Sequence, residues 1–96
     1  MKLVSITRSD KPGKKLKALF KDETTGRTRT THFGAAGMDD YTKTHDTEQR
    51  ARYRARHSKD LKGDATRAGY LSYYILWGDS TSVSANIASY KRRFGL

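Results

Sequence analysis

The chain has 96 residues with 20 Lys and Arg against 10 Asp and Glu, a formal net charge of +10, and no cysteine. That length suits one domain and not two, and the absent cysteines exclude both a disulfide framework and a thiolate zinc site. No stretch approaches the roughly 20 apolar residues of a membrane span, and only five residues separate Lys2 from Arg8, too few for the apolar region of a signal peptide.

An apolar share of 34% is low, but ten aromatic residues bury large areas each, so a thin, aromatic-rich core is expected. A charge of +10 repels itself in a compact state and favours an acidic partner. For a basic domain the commonest such partner is nucleic acid, because each neutralised phosphate releases condensed counterions. The charge is uneven: residues 1–34 carry net +6, 35–49 net −3, 50–67 net +5 and 68–96 net +2. A single domain over 1–96 is expected, with a β-rich basic region to residue 34, a Gly/acidic connection over 35–46 and a helical region over 47–96.

In chain order, "KLVSIT" alternates, which predicts a strand with Val4 and Ile6 on one face. "DKPG" (Asp10–Gly13) has turn chemistry, Pro12 fixing φ and Gly13 accepting a positive one. In "KKLKALFK", Leu16, Ala18 and Phe20 fall on one face and Lys15, Lys17 and Lys21 on the other. "DETTG" closes a second hairpin, and "RTRTTHF" returns as a Thr-rich strand on which Arg27, Arg29, Thr31 and Phe33 share a face.

The helical region opens at Asp46, a good N-cap, with Gln49 placed to complete a capping-box-like pair, and a helix over about Thr47 to Ser58 follows. "QRARYRARH" (Gln49–His57) has Arg at every second position, which fits a strand, but the preceding cap and the alanines favour helix. At 100° per residue, Arg50 and Arg54 stack on one line and Arg52 and Arg56 on another about 160° away. Asp64 is placed to cap a second helix, "ATRAGYLSYYILWG", with Tyr70, Tyr73, Tyr74 and Trp77 on one face and Ala68, Leu71 and Ile75 on another. Gly78 ends it, Ser80 caps a third helix, and Val83, Ile87, Tyr90 and Phe94 form its single apolar stripe. Lys91, Arg92 and Arg93 fill the last turn, where the helix dipole favours cations, and Gly95 stops the helix. The expected class is α+β: a small antiparallel sheet of about three strands followed by three α-helices, the last two packed on the sheet.

Arg50, Arg52, Arg54 and Arg56 are the first phosphate-binding candidates, since a guanidinium bonds phosphate bidentately and stacks on bases. Two lines of Arg so far apart straddle a groove, or one pair binds while the other bonds within the fold, to Asp39 or Asp40. Lys15 and Lys17 offer a second cluster, unless the strand is an edge whose lysines only block sheet association. Arg27 and Arg29 extend the set, and Lys91, Arg92 and Arg93 form a third cluster that the dipole partly explains. The Tyr70–Trp77 face is read as packing in preference to a base-stacking platform.

No metal, cofactor or enzymatic activity is expected. His32, His45 and His57 with Asp39, Asp40 and Asp46 match no zinc or metal-dependent nuclease spacing, and no serine sits in a nucleophile elbow. "GAAG" follows a strand and not a helix, which sets it apart from the KH-domain loop.

The ordered strings "THFGAAGMDDYT", "HD" at 45–46, "R..Y..RH" over Arg50–His57, "AGYLSYYILW" and "SANIASYKRRF" carry a family resemblance over about Lys14 to Leu96. In these the chain resembles the small basic proteins encoded by large double-stranded DNA viruses of algae and protists and by some of their hosts. The resemblance implies a viral or virus-like source and a compact domain, located in the host cell and in the virion; it supplies no catalytic residues and no cofactor. The expected function is non-enzymatic binding to the phosphate backbone of nucleic acid, double-stranded DNA favoured, with little sequence specificity, as in viral genome packaging. The alternative is a minor structural protein of a virion that binds capsid proteins through an exposed apolar patch on the Tyr70–Trp77 face.

Overall fold

A computed structural model describes residues 1–96. Strands β1 (Lys2–Arg8), β2 (Lys14–Lys21) and β3 (Thr28–Ala35) form one antiparallel sheet in the order β1-β2-β3. Turn chemistry sets both hairpins. Gly13 takes φ +84° after Pro12, and in the second turn Asp22 Oδ1 accepts from Thr24 N at 2.9 Å. The α+β class read from the sequence is the architecture observed.

The pairing corrects the reading of β1. Leu3 lies opposite Phe20 and Ser5 opposite Leu19, so Val4 is the extra residue of a β-bulge. A bulge shifts every later side chain by one position. Leu3 and Ile6 therefore share the covered face, while Val4 is 55% exposed. On β2 the alternation holds, with Ala18 and Phe20 fully buried. Pairing also puts Thr31 beside Ala18 and Phe33 beside Leu16, so Arg29 sits at the end of the covered face.

Four α-helical segments follow, one more than expected. The addition is α1 (Tyr41–Thr44), a single turn whose N-cap Asp40 accepts from Thr42 N at 2.9 Å. Next comes α2 (Thr47–His57), with Asp46 Oδ1 accepting from Glu48 N at 3.0 Å and Gln49 N at 3.1 Å. Gln49 does not close a capping box; its Oε1 accepts from Thr44 Oγ1 at 2.9 Å. Asp64 forms a tight side-chain turn with Thr66, and α3 (Ala68–Leu71) begins only after Arg67, which offers no side-chain cap. The helix then widens into a π-turn over Ser72–Leu76, with Trp77 N donating to Ser72 O at 3.0 Å. Finally α4 (Val83–Phe94) is capped by Ser82, not Ser80, and ends at Gly95 in the left-handed region.

Leu3, Ala18, Phe20 and Phe33 from the sheet, Tyr41 from α1, Leu71 from α3, Ile75, Leu76 and Trp77 from the π-turn and its end, and Tyr90 from α4 make one buried cluster. Each large apolar side chain there contributes about 1.5–3 kcal/mol through burial. α3 meets β3 directly, whereas α4 makes its main contact with the π-turn. Three strands spaced by about 4.8 Å span only the roughly 10 Å diameter of one helix, so the second helix has to pack on the first.

Candidate nucleic-acid interface

The two lines of arginine on α2 have different surroundings. Arg50 Nη1 donates to the carbonyls of Gly78 and Asp79 at 3.3 and 3.1 Å, and its guanidinium lies over the Tyr41 ring at 4.5 Å. Arg54 Nε donates to Trp77 O at 2.8 Å, Nη2 donates to Asp79 Oδ1 at 2.9 Å, and the group lies over the Tyr73 ring. The Arg54 hydrogen bond is the main reason the Asp79 carboxyl stays below its ordinary range, with the Arg54 and Arg50 charges adding to it. Arg50 and Arg54 thus tie α2 to the end of the π-turn. Of the two arrangements open from sequence, one pair bonds within the fold, but its partners are Trp77–Asp79 and not Asp39 or Asp40. Arg52 and Arg56 stand exposed with no carboxylate partner.

Between the two lines, the Tyr53 ring stacks on His57 at 4.1 Å and on Trp77 at 4.3 Å, the latter nearly parallel at 7°. Burial, with the Asp60 charge, pushes the Tyr53 hydroxyl up. His57 Nδ1 lies 2.7 Å from Asp60 Oδ2. The aromatic face expected over Tyr70–Trp77 is therefore split. Trp77 turns to Tyr53, while Tyr70 and Tyr74 pack on Phe94. The wider π-turn breaks the 3.6-residue spacing that would align them.

Beside this stack lies an open cleft of about 640 Å³. Its walls come from Lys14 and Lys15, the connection 34–40, the Gln49–His57 side of α2, and Ala68, Gly69, Ser72, Leu76 and Trp77. Asp40, only 2% exposed, is held by Lys15 Nζ at 2.6 Å and by Thr42. Asp39 lies 3.8 Å from Lys43. Lys14 and Arg56, 42 positions apart in sequence, remain as the cleft's unpaired cations.

The remaining candidates are scattered. Lys15 is committed to Asp40, and Lys17 lies 3.5 Å from Asp10. β2 is the central strand, so its lysines do not guard an edge. On the uncovered face Lys2 and Lys21 are direct cross-strand neighbours. Arg29 lies 3.8 Å from Asp64, and Arg27 is exposed. Lys91 and Arg92 are exposed at the end of α4, and Arg93 lies over the Tyr74 ring at 4.9 Å. Sequence reasoning missed Lys14 and the cleft. Its legible trace was the i,i+4 pair Tyr53 and His57, which a helix stacks in line.

Among known proteins, a family model described as a family of unknown function (DUF5754) matches residues 4–57, the segment holding the sheet, α1 and α2. The chain belongs to that family. No curated protein and no solved structure matches it.

Proposed function

We propose that this protein binds nucleic acid without catalysis, through the phosphate backbone and with little sequence specificity, in the setting of viral genome packaging. The observation that carries the reading is uncompensated charge. Six of the 20 Lys and Arg (Lys15, Lys17, Arg29, Lys43, Arg54 and Arg67) lie within ion-pair distance of a carboxylate, which leaves 14 without one. Arg52, Arg56, Lys14, Arg27, Lys91 and Arg92 are exposed members of that group and the proposed contacts. Like charges paired across strands, as at Lys2 and Lys21, destabilise the free fold and are relieved by a polyanion. The resemblance noted above supports the viral setting.

The test is binding of labelled duplex and single-stranded oligonucleotides across a salt series. Contacts to about six to ten phosphates reduce affinity by 10³- to 10⁵-fold between 50 and 200 mM salt. Replacing Arg52 and Arg56 together with Ala should lower the salt slope by about 2 while leaving the fold intact. A response flat in salt removes the mechanism. No binding at low salt turns the charge toward protein partners, the virion-component reading. That reading called for an exposed apolar patch over Tyr70–Trp77, where Trp77 is 7% exposed and Tyr70 and Tyr74 are half-buried.

A further inference from the structure

We infer that the cleft beside Tyr53 takes one unpaired nucleotide, its phosphate held by Lys14 and Arg56 and its base set against the Tyr53–His57–Trp77 rings. The inference rests on the nucleic-acid reading and adds to it a ligand unit and a strand preference.

The cleft volume of about 640 Å³ falls within the roughly 300–1,000 Å³ typical of small-molecule sites. Its charge is anion-seeking once internal pairs are removed. Lys15 satisfies Asp40, Lys43 lies against Asp39, and Lys14 from the sheet and Arg56 from α2 remain. Tyr53, stacked 4.1 Å from His57 and 4.3 Å from Trp77, lines one side of the cleft together with both, and a planar base of any identity can pack edge-to-face against these rings. Gln49 and Ser72 also line the cleft and supply an amide and a hydroxyl for a base edge.

Gly34, Gly37 and Gly69 also line the walls; a Cβ would meet no atom within 4 Å at Gly37, but would lie 2.7 Å from Leu76 Cδ1 at Gly34 and 3.1 Å from the Asp60 carbonyl oxygen at Gly69. A base inside a duplex is stacked on its neighbours and has to be unstacked before it can lie against rings in a cleft. An unpaired base enters without first being unstacked. The sequence-based preference for double-stranded DNA therefore reverses at this site.

Trp77 is the only tryptophan in the chain and lines the cleft, so its emission reports occupancy. The full chain is titrated with three ligands of equal length at one salt concentration: a single strand of thymidylate, a duplex, and an abasic sugar-phosphate strand. Binding is followed by anisotropy of the labelled ligand and, separately, by Trp77 emission. The single strand should bind about tenfold more tightly than the duplex and change the Trp77 emission. The abasic strand should bind but leave the emission unchanged. In the Lys14→Ala, Arg56→Ala double variant, the single-strand advantage should be lost, with the far-UV circular dichroism unchanged. Equal or tighter duplex binding overturns the inference, as does single-strand binding with silent Trp77; both leave the phosphate reading standing. No binding of any strand at low salt overturns both.

Discussion

Arg54 of α2 and Asp79 beyond the π-turn are joined at 2.9 Å, and the same guanidinium donates to the Trp77 carbonyl at 2.8 Å. The end of a helix leaves carbonyls without internal partners. Here α2 supplies two arginines to satisfy them, so a residue that reads as a phosphate ligand is a cap for another segment. Arg54→Ala should lower the unfolding free energy by about 2–3 kcal/mol, since hydrogen bonds to charged groups are the stronger ones. Arg52→Ala, with no such partner, should change it by less than about 0.5 kcal/mol. Urea unfolding of both variants checks the contrast, and equal losses would contradict the assignment.

Acid should weaken the fold. The carboxyls of Asp79, Asp64, Asp10 and Asp22 all lie below their ordinary value of 3.8, held there mainly by the Arg54 hydrogen bond at Asp79, by Thr66 at Asp64 and by backbone N–H groups at Asp10 and Asp22. A depressed folded-state value contributes stability that is fully present above the unfolded value and is lost as pH falls through the folded one. Unfolding midpoints should therefore be level near neutral pH and drop below about pH 4. Asp79→Asn should shallow that drop, because the substituted side chain no longer takes up a proton. A drop of unchanged depth in this variant removes Asp79 from the account.

Asn86, 2% exposed, holds the chain between the π-turn and α4. Its Nδ2 donates to Ile75 O at 2.8 Å and to Ser80 O at 2.7 Å, and its Oδ1 accepts from Ser80 N at 3.0 Å. Asn86→Ala orphans all three backbone groups and should lower stability by about 3 kcal/mol or more. Asn86→Asp should do little better, because a carboxylate cannot donate to the two carbonyls. Thermal melts of the two variants make the comparison.

Gly34 has φ +79°, and a Cβ there would lie 2.7 Å from Leu76 Cδ1 and 3.3 Å from Lys15 Cβ. Gly34→Ala combines left-handed strain of about 1–2 kcal/mol with displacement of a core leucine, so a loss above 2 kcal/mol is expected. Ala at Gly37, with an equally positive φ but open space, should show the strain alone. A double measurement by urea unfolding separates the two contributions.

What the sequence disclosed was whatever local chemistry decides. The alternation of Leu16, Ala18 and Phe20, the Asp46 cap and the Val83–Phe94 stripe each follow from one segment's own periodicity, and each is where it was expected. Val4 was misplaced because this bulge carries no glycine or other local mark; it is visible only in the pairing with β2. The turn over Tyr41–Thr44 is too short to show a period, and its cap Asp40 was read from sequence as a partner for arginine. Arg50 and Arg54 were ambiguous because their partners are carbonyls 23 or more residues away. The cleft escaped for the same reason: Lys14, Arg56 and Trp77 come from three elements, and only tertiary folding brings them to one hollow.

The π-turn over Ser72–Leu76 makes the winding of the chain as binding as the identity of its residues. Its i→i+5 bond from Trp77 to Ser72 accommodates one residue more than an α-helical turn would hold. The wider turn rotates less per residue, so Trp77 keeps its direction toward Tyr53 despite the extra residue. Wound as regular α-helix, the same five residues would turn Trp77 by about 100° around the axis and part it from Tyr53. Along this stretch, then, a substitution that favours regular helix is damaging even where it leaves every hydrophobic side chain in place.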